Sequence, residues 1–184
     1  SIANETAVST TSSGTSVSQA TAAASSSQNQ SKYEANVASV AGKMDNRVIA
    51  AYQQLGFKLV VDPSVNYSGY FDARSRSITM KQIDDSVYHE LGHFLAFIAG
   101  NVDKTASFQS IFAAEKANVT AFNKAYVTQN ASEYFAESVK DYILNNASLK
   151  SSRPQTYAAV QNALNQITDA QIAKIQKIYG AFWN

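Results

Sequence analysis

The apolar positions of residues 32–61 follow first a helical and then a continuous pattern. From Lys32 to Leu55, apolar side chains recur at every third or fourth position, which is the spacing of an amphipathic helix with one buried face. The members of this stripe are Val37, Val40, Ala41, Met44, Val48, Tyr52 and Leu55. Gly56 predicts the end of the helix, since glycine readily takes the left-handed conformation that often follows one. The apolar run over residues 57–61 predicts a buried strand.

Two shorter segments alternate between apolar and polar residues and predict a β-hairpin. They span residues 70–73 and 77–80, with a tight turn over residues 74–76. The open edge of such a hairpin can hold an extended peptide by main-chain hydrogen bonds, which makes Ser77, Ile78, Thr79 and Met80 candidate substrate-binding residues. A hairpin that binds no ligand explains the same pattern equally well.

Helical periodicity dominates the chain after this hairpin. Each segment begins near a residue that can cap a helix, such as Asn130 before residue 131, or near a proline that suits the first turn, as at Pro154. The predicted helices span residues 86–98, 106–116 and 131–146, a segment that opens at residues 152–154, and a last segment from Thr168 or Asp169. We therefore expect an α+β fold that is mostly helical, with a small sheet or hairpin before the helix at residue 86.

The first 31 residues have a different composition from the rest. They consist mainly of Ser, Thr and Ala, and they include neither Lys nor Arg. Such a segment buries too little apolar surface to offset the entropy of ordering it, so we expect a flexible tail or linker, with a propeptide that docks in an active site as the weaker alternative. Residues 32–184 are expected to form one domain. The chain begins without a charged and apolar leader, as a secreted or cell-surface protein does after its signal is removed.

Charge and composition exclude several classes of partner. The net charge is +1 with no basic or acidic block, which argues against nucleic acid or an anionic membrane surface as the main partner. No apolar run approaches the roughly 20 residues of a membrane-spanning helix. The chain contains no cysteine, so a zinc site would have to use histidine and carboxylate ligands. A monomer is favoured.

Both histidines of the chain belong to one short motif, His89-Glu90-Leu91-Gly92-His93. Residues four apart lie on one face of a helix, so His89 and His93 can direct both imidazoles at one metal ion. Glu90 is offset by about 100° and flanks that ion, which is the place for a carboxylate that takes a proton from an attacking water. Gly92 costs roughly 1 kcal/mol of helix stability and is expected where another backbone passes close by. Two histidines on a helix without a metal remain the alternative.

A catalytic zinc needs a third protein ligand, and Glu133 is the best candidate. Glu133 and Glu137 are four residues apart and therefore face the same side of one predicted helix. Glu137 lies one turn further on, where it can accept a hydrogen bond from a ligating histidine and fix its tautomer. The alternative interpretation is that Glu133 belongs to a capping box with Asn130 and that Glu137 faces solvent.

These motifs together resemble the catalytic domain of anthrax lethal factor and the secreted clostridial Pro-Pro endopeptidases, which are gluzincin-type zinc peptidases. The resemblance rests on the histidine motif and on the segment Glu133-Tyr134-Phe135-Ala136-Glu137, and it extends from about Tyr33 to Ile167. It implies a zincin-like fold, one zinc per chain and Glu133 as a zinc ligand. It also implies that Tyr126, seven residues before Glu133, stabilises an oxyanion.

The resemblance implies a secreted zinc endopeptidase that acts on extended segments of peptides or proteins. Those endopeptidases carry a tryptophan in a glycine-rich segment before the metal helix, where it receives proline-rich substrate. Here the only tryptophan is Trp183, so Pro-Pro specificity does not follow. The alternatives are a non-catalytic binding or adhesion domain with the same fold, and a toxin-like peptidase that acts inside a target cell.

Overall fold

The computed structural model describes residues 31–183, and over this range four short strands precede a series of helices. The strands are β1 (Tyr33–Ala35), β2 (Lys58–Val61), β3 (Gly69–Asp72) and β4 (Ser77–Met80). The helices are α1 (Val37–Val40), α2 (Asn46–Gln54), α3 (Ser86–Ile98), α4 (Ala106–Glu115), α5 (Lys124–Val127), α6 (Ala131–Leu144), α7 (Asn146–Ser152), α8 (Pro154–Asn165) and α9 (Asp169–Trp183). The predicted α+β class is confirmed. The predicted tail, residues 1–31, lies outside the described residues except for Ser31, and its boundary stays a prediction.

The four strands form one mixed sheet in the order β1-β2-β4-β3. β4 pairs in parallel with β2 and antiparallel with β3, so it is an inner strand with partners on both sides. The prediction that Ser77–Met80 offer an open edge is therefore wrong, because the main-chain groups of this strand are already used within the sheet. The side chains of Ile78 and Met80 are also fully buried. On this side of the sheet, the open edge belongs to β3.

The predicted helix over residues 32–55 is wrong in its first half. Tyr33–Ala35 instead pairs with β2 as an antiparallel strand, and Asn36 starts the short helix α1 by accepting hydrogen bonds from the main-chain N–H groups of Ala38 and Ser39. Asp45 then begins α2 by accepting from the N–H of Arg47. Two capping side chains therefore divide one apolar stripe between separate elements. Gly56 ends α2 with a positive φ of 78°, as predicted.

The helix that carries both histidines matches its prediction. α3 begins at Ser86, whose N–H donates to the carboxylate of Asp84 at 2.9 Å, and its inner face is fully buried through Leu91, Leu95 and Ile98. At Gly92, a Cβ would lie 2.6 Å from the carbonyl oxygen and 2.7 Å from the Cα of Ala136. The absence of a side chain at Gly92 thus allows α3 and α6 to pack backbone against backbone, which aligns their functional side chains.

The helices behind α6 are held by a buried polar network. Glu115, on α4, accepts the main-chain N–H groups of Gln155 and Thr156 at 3.1 and 2.7 Å, so it caps α8 from a different helix. The hydroxyl of Thr156 bonds that of Tyr134, on α6, at 2.6 Å. This network fixes α6 against α4 and α8, and thereby the direction in which Glu133, the residue before Tyr134, points.

Two further details of the helical region differ from the predictions. α6 ends at Leu144, and a separate helix, α7, occupies residues 146–152, where no helix was predicted. In α9 the helical periodicity predicts one buried apolar face, which holds for Ile172 and Ile175, but Ile178 is 50% exposed and Phe182 is 75% exposed. None of the helices in residues 31–183 is long and apolar enough to span a bilayer.

Candidate metal centre

The two histidines of α3 meet a carboxylate of α6 in a half-buried cluster. The Nε2 atom of His89 lies 2.9 Å from Oε2 of Glu133, and the Nε2 atom of His93 lies 3.4 Å from Oε1 of the same carboxylate. One candidate ligand atom from each residue falls within 4.8 Å of the others. Residues 40 positions apart in sequence are thus brought together by the close packing of α3 on α6.

The alternative interpretation, in which Glu133 takes part in capping α6, is compatible with the contact between its carboxylate and the histidines. Its main-chain N–H donates to the Asn130 side chain at 2.8 Å, which caps α6. Its side chain does not return to the Asn130 main chain, as a capping box requires, but points at the histidines. Glu133 therefore starts the helix with its main chain and leaves its carboxylate free for the cluster.

Glu137 contacts the opposite nitrogen of the first histidine. Its Oε2 atom lies 2.7 Å from Nδ1 of His89, and its Oε1 atom lies 3.8 Å from the ammonium of Lys140. A carboxylate on Nδ1 fixes the tautomer and the ring orientation, and it leaves Nε2 available for a metal. The solvent-facing alternative for Glu137 does not describe this structure, since its side chain is only 12% exposed.

The three ligand atoms suit a divalent metal ion of intermediate hardness. Two imidazole nitrogens and a carboxylate oxygen are ligands that zinc accepts. Ligands about 2.1 Å from a tetrahedral ion lie roughly 3.4 Å apart, which the contact between His93 and Glu133 at 3.4 Å already matches. The contact between His89 and Glu133, at 2.9 Å, needs only a small widening. The ligand atoms of His89, His93 and Glu133, all within 4.8 Å of one another, can therefore hold a metal ion.

His89 is coupled electrostatically to both neighbouring carboxylates. Burial alone would lower the pKa of His89, but hydrogen bonds with Glu133 and Glu137 raise it from 6.5 to about 9. Burial alone would raise the pKa of Glu133, but hydrogen bonds with the two histidines hold it well below its usual range. His89 is therefore cationic at neutral pH, and a metal ion that binds its Nε2 atom must displace this proton.

Glu90 points to the side of the cluster that faces β3. Its side chain is buried, with the residue 7% exposed, and a Cβ on Gly69 would lie 2.8 Å from its Cγ atom. Burial raises the pKa of the Glu90 carboxyl, and the neighbouring charges of His89 and His93, with a hydrogen bond from the main-chain N–H of Phe71, partly oppose this rise. A carboxylate with a raised pKa, held beside a metal site, is suited to accept a proton.

Tyr126, the last residue of the predicted set, borders the cluster from α5. Its ring centroid is 6.5 Å from that of His89, and the residue is 55% exposed. Burial raises the pKa of the Tyr126 hydroxyl, and the neighbouring charge of Glu133 raises it further. The hydroxyl therefore stays protonated and can donate a hydrogen bond.

A cleft of about 460 Å³ is lined by His89, Glu90, Tyr126 and Glu137, and Gly69 of β3 also borders it. The N–H of Lys81 donates a hydrogen bond to the C=O of Ser68, so these two residues are a hydrogen-bonded pair of the antiparallel β3–β4 ladder. Hydrogen-bonded pairs alternate along such a ladder, so the residues of this segment that bond to β4 are 68, 70 and 72. The main-chain groups of Gly69 and Phe71 therefore point away from β4, along the open edge. The open strand edge that was predicted for Ser77, Ile78, Thr79 and Met80 thus lies on β3 instead.

Sequence reasoning missed Gly69 and Lys140 among the residues that line this cleft. Gly69 appears in the sequence only as a turn-like residue before a strand, and Lys140 only as one charged residue on a helix. One signal did exist for Lys140: it follows Glu137 by three positions, so the two share a helix face.

Comparison with known proteins finds a family model and a relative that are similar to parts of this chain. Residues 73–163 match the family model described as anthrax toxin lethal factor, N- and C-terminal domain. A Pro-Pro endopeptidase of Clostridioides difficile (strain 630) is 41% identical over 78 residues, which cover 40% of this chain and 34% of that relative. The matched segment thus spans about a third of the relative's length. The family match contains every residue of the cluster, together with Glu90 and Tyr126.

Proposed function

We propose, on the premise that residues 73–163 form a domain of the anthrax lethal factor family, that the protein is a zinc-dependent endopeptidase. The observation that carries the proposal is the meeting of two Nε2 atoms and the Glu133 carboxylate beside a buried Glu90. A purely structural histidine pair needs no carboxylate of raised pKa at its side. The similarity to a Pro-Pro endopeptidase adds support from an independent comparison.

In this proposal His89, His93 and Glu133 hold the zinc, and Glu137 orients the ring of His89 through Nδ1. When bound, zinc lowers the pKa of water and polarises a carbonyl. Glu90 accepts the proton of the water that attacks the scissile carbonyl and then delivers it to the leaving amine. Tyr126 donates its hydroxyl hydrogen to the oxyanion that develops on the carbonyl oxygen.

The substrate is a peptide or protein segment bound in an extended conformation. The main-chain groups of Gly69 and the C=O of Phe71, which point away from β4, can pair with such a segment in the manner of an added strand. A side chain at Gly69 would displace Glu90, so this position also keeps the base in place. In this proposal Gly69 therefore serves both to bind the substrate main chain and to leave room for the Glu90 side chain.

Cleavage of a peptide library in the presence and absence of a chelator tests the proposal. We expect one zinc per chain, cleavage by the zinc-loaded protein, loss of cleavage after chelation and its return on adding zinc but not magnesium. Mass spectrometry of the products and metal analysis of the protein measure both outcomes. A chain that binds zinc and cleaves no peptide would instead be a binding domain, and cleavage that survives complete metal removal would exclude the mechanism.

Replacing Tyr126 with phenylalanine should lower kcat more than it raises KM. Loss of one oxyanion donor typically costs about 10²–10³-fold in rate, and the hydroxyl contributes little to ground-state binding. Steady-state kinetics on the best library peptide measure the split. Tyr33→Phe, at an exposed tyrosine on β1, is the matched control and should leave kcat unchanged. An unchanged kcat in Tyr126→Phe would remove this residue from the mechanism.

A further inference from the structure

A second cavity opens beside the cleft that His89, Glu90 and Tyr126 line. This side pocket, of about 450 Å³, lies between the loop over residues 118–123 and helices α6 and α7. It shares Asn123, Glu137 and Lys140 with the cleft, so the two spaces meet at these residues. A side chain of a peptide bound over the metal centre can therefore pass into the side pocket.

The charged side chains that line the side pocket differ in how closely they are paired with other groups. The carboxylate of Asp141 pairs with the guanidinium of Arg153 at 2.6 Å, and that of Glu137 contacts Nδ1 of His89 at 2.7 Å. The ammonium of Lys140 lies 3.8 Å from Glu137, beyond hydrogen-bond distance, and within residues 31–183 it has no other ion pair. Among the charges that line the side pocket, Lys140 thus has the longest ion-pair contact, and its ammonium can turn toward a ligand.

The neutral polar groups nearby also suit an anion. Asn123 offers an amide at the junction with the cleft, and Thr120 and Ser148 offer hydroxyls on the pocket wall. Amides and hydroxyls donate readily to a carboxylate, and an ammonium adds a charge-assisted contact. A basic substrate side chain would meet Lys140 as a like charge.

We propose that the side pocket is a substrate subsite that takes an acidic side chain and that Lys140 is its specificity-determining residue. This inference rests on the proposed peptidase function and adds the chemical class of the residue that flanks the cleaved bond. Lys140 favours an acidic substrate side chain and disfavours a basic one, because its ammonium attracts a carboxylate and repels a cation. Lys140 takes no part in proton transfer, so it affects which peptide is cleaved rather than the chemical step.

A charge reversal at Lys140 tests the subsite. The best-cleaved library peptide is made with Glu, Gln or Lys at each of the three positions on either side of the cleaved bond, and kcat/KM is measured for each form. At one position we expect the parent protein to prefer Glu over Lys by about 10-fold, with Gln between them. Lys140→Glu should reverse this order, and Lys140→Met should reduce the preference to within about 2-fold.

The preference is a ratio of two substrates in one preparation, so incomplete zinc loading of a variant does not alter it. Lys174→Glu, on α9, changes the net charge equally at an exposed residue that lines neither cavity, and it should keep the parental preference. Absence of an acidic preference at every position, or an unchanged preference in Lys140→Glu, would overturn the subsite alone. Absence of any cleavage by the zinc-loaded parent would overturn the proposed function and the subsite with it.

Discussion

Replacing Glu90 with glutamine is expected to reduce peptide cleavage by about 10³-fold while zinc binding stays intact. A general base typically contributes 10²–10⁴-fold, and about 10³-fold corresponds to roughly 4 kcal/mol of transition-state stabilisation. Glutamine has nearly the same shape as glutamate, so it fills the space beside Gly69 and can still accept the hydrogen bond from Phe71. It cannot take up a proton. Steady-state kinetics and metal analysis of the same preparation measure the two effects separately.

Glu34→Gln provides the control for this substitution. Glu34 lies on β1, at the other edge of the sheet from β3, and forms an exposed ion pair with Lys58. Its replacement should leave both zinc content and cleavage at the parental level, since exposed pairs contribute little to stability. Cleavage by Glu90→Gln at the parental rate would show that another group accepts the proton.

The fold was predictable from sequence wherever an apolar pattern coincided with a capping residue. Asn130 and Gly56 placed helix boundaries correctly for this reason. Between residues 32 and 45 the pattern misled, because the buried residues Val37, Ala41 and Met44, in a short helix and the turn after it, continue the helical spacing of α2. Only the caps Asn36 and Asp45 separate these elements, and a capping side chain within an apparently continuous stripe is easily read as a polar face.

The metal cluster was predictable because it depends on spacing within helices. The two histidines and the two glutamates are each four residues apart, and that spacing fixes one face of a helix whatever the rest of the chain does. The open edge of the sheet was not predictable, because it depends on strand order. A parallel pairing with β2 makes Ser77–Met80 an inner strand, and no local pattern reveals such a pairing.

The roles of Glu133 and Glu137 can be separated because both carboxylates contact His89 at different nitrogens. Replacing Glu133 with alanine removes one proposed ligand. A zinc site with four ligands typically binds with about 10–16 kcal/mol, and the loss of one ligand should remove about a quarter of that free energy. We therefore expect zinc binding to weaken by about 10²–10³-fold. Glu137→Gln removes only the orienting charge and should weaken binding by about 10–100-fold. Competition with a zinc-binding dye at fixed pH measures both affinities.

Glu133→Gln, alongside the alanine variant, distinguishes ligand loss from a folding defect. The amide keeps the side-chain volume, and the main-chain N–H that bonds to Asn130 is unchanged, so α6 should still form at its normal position. Glutamine is nevertheless a neutral and weaker ligand, and we expect it to bind zinc less tightly than the parent and more tightly than alanine. If Glu137→Gln lost more zinc affinity than either variant at Glu133, the two carboxylates would have exchanged roles. The metal would then bind Nδ1 of His89 rather than the Nε2 pair, and Glu90 would no longer flank it.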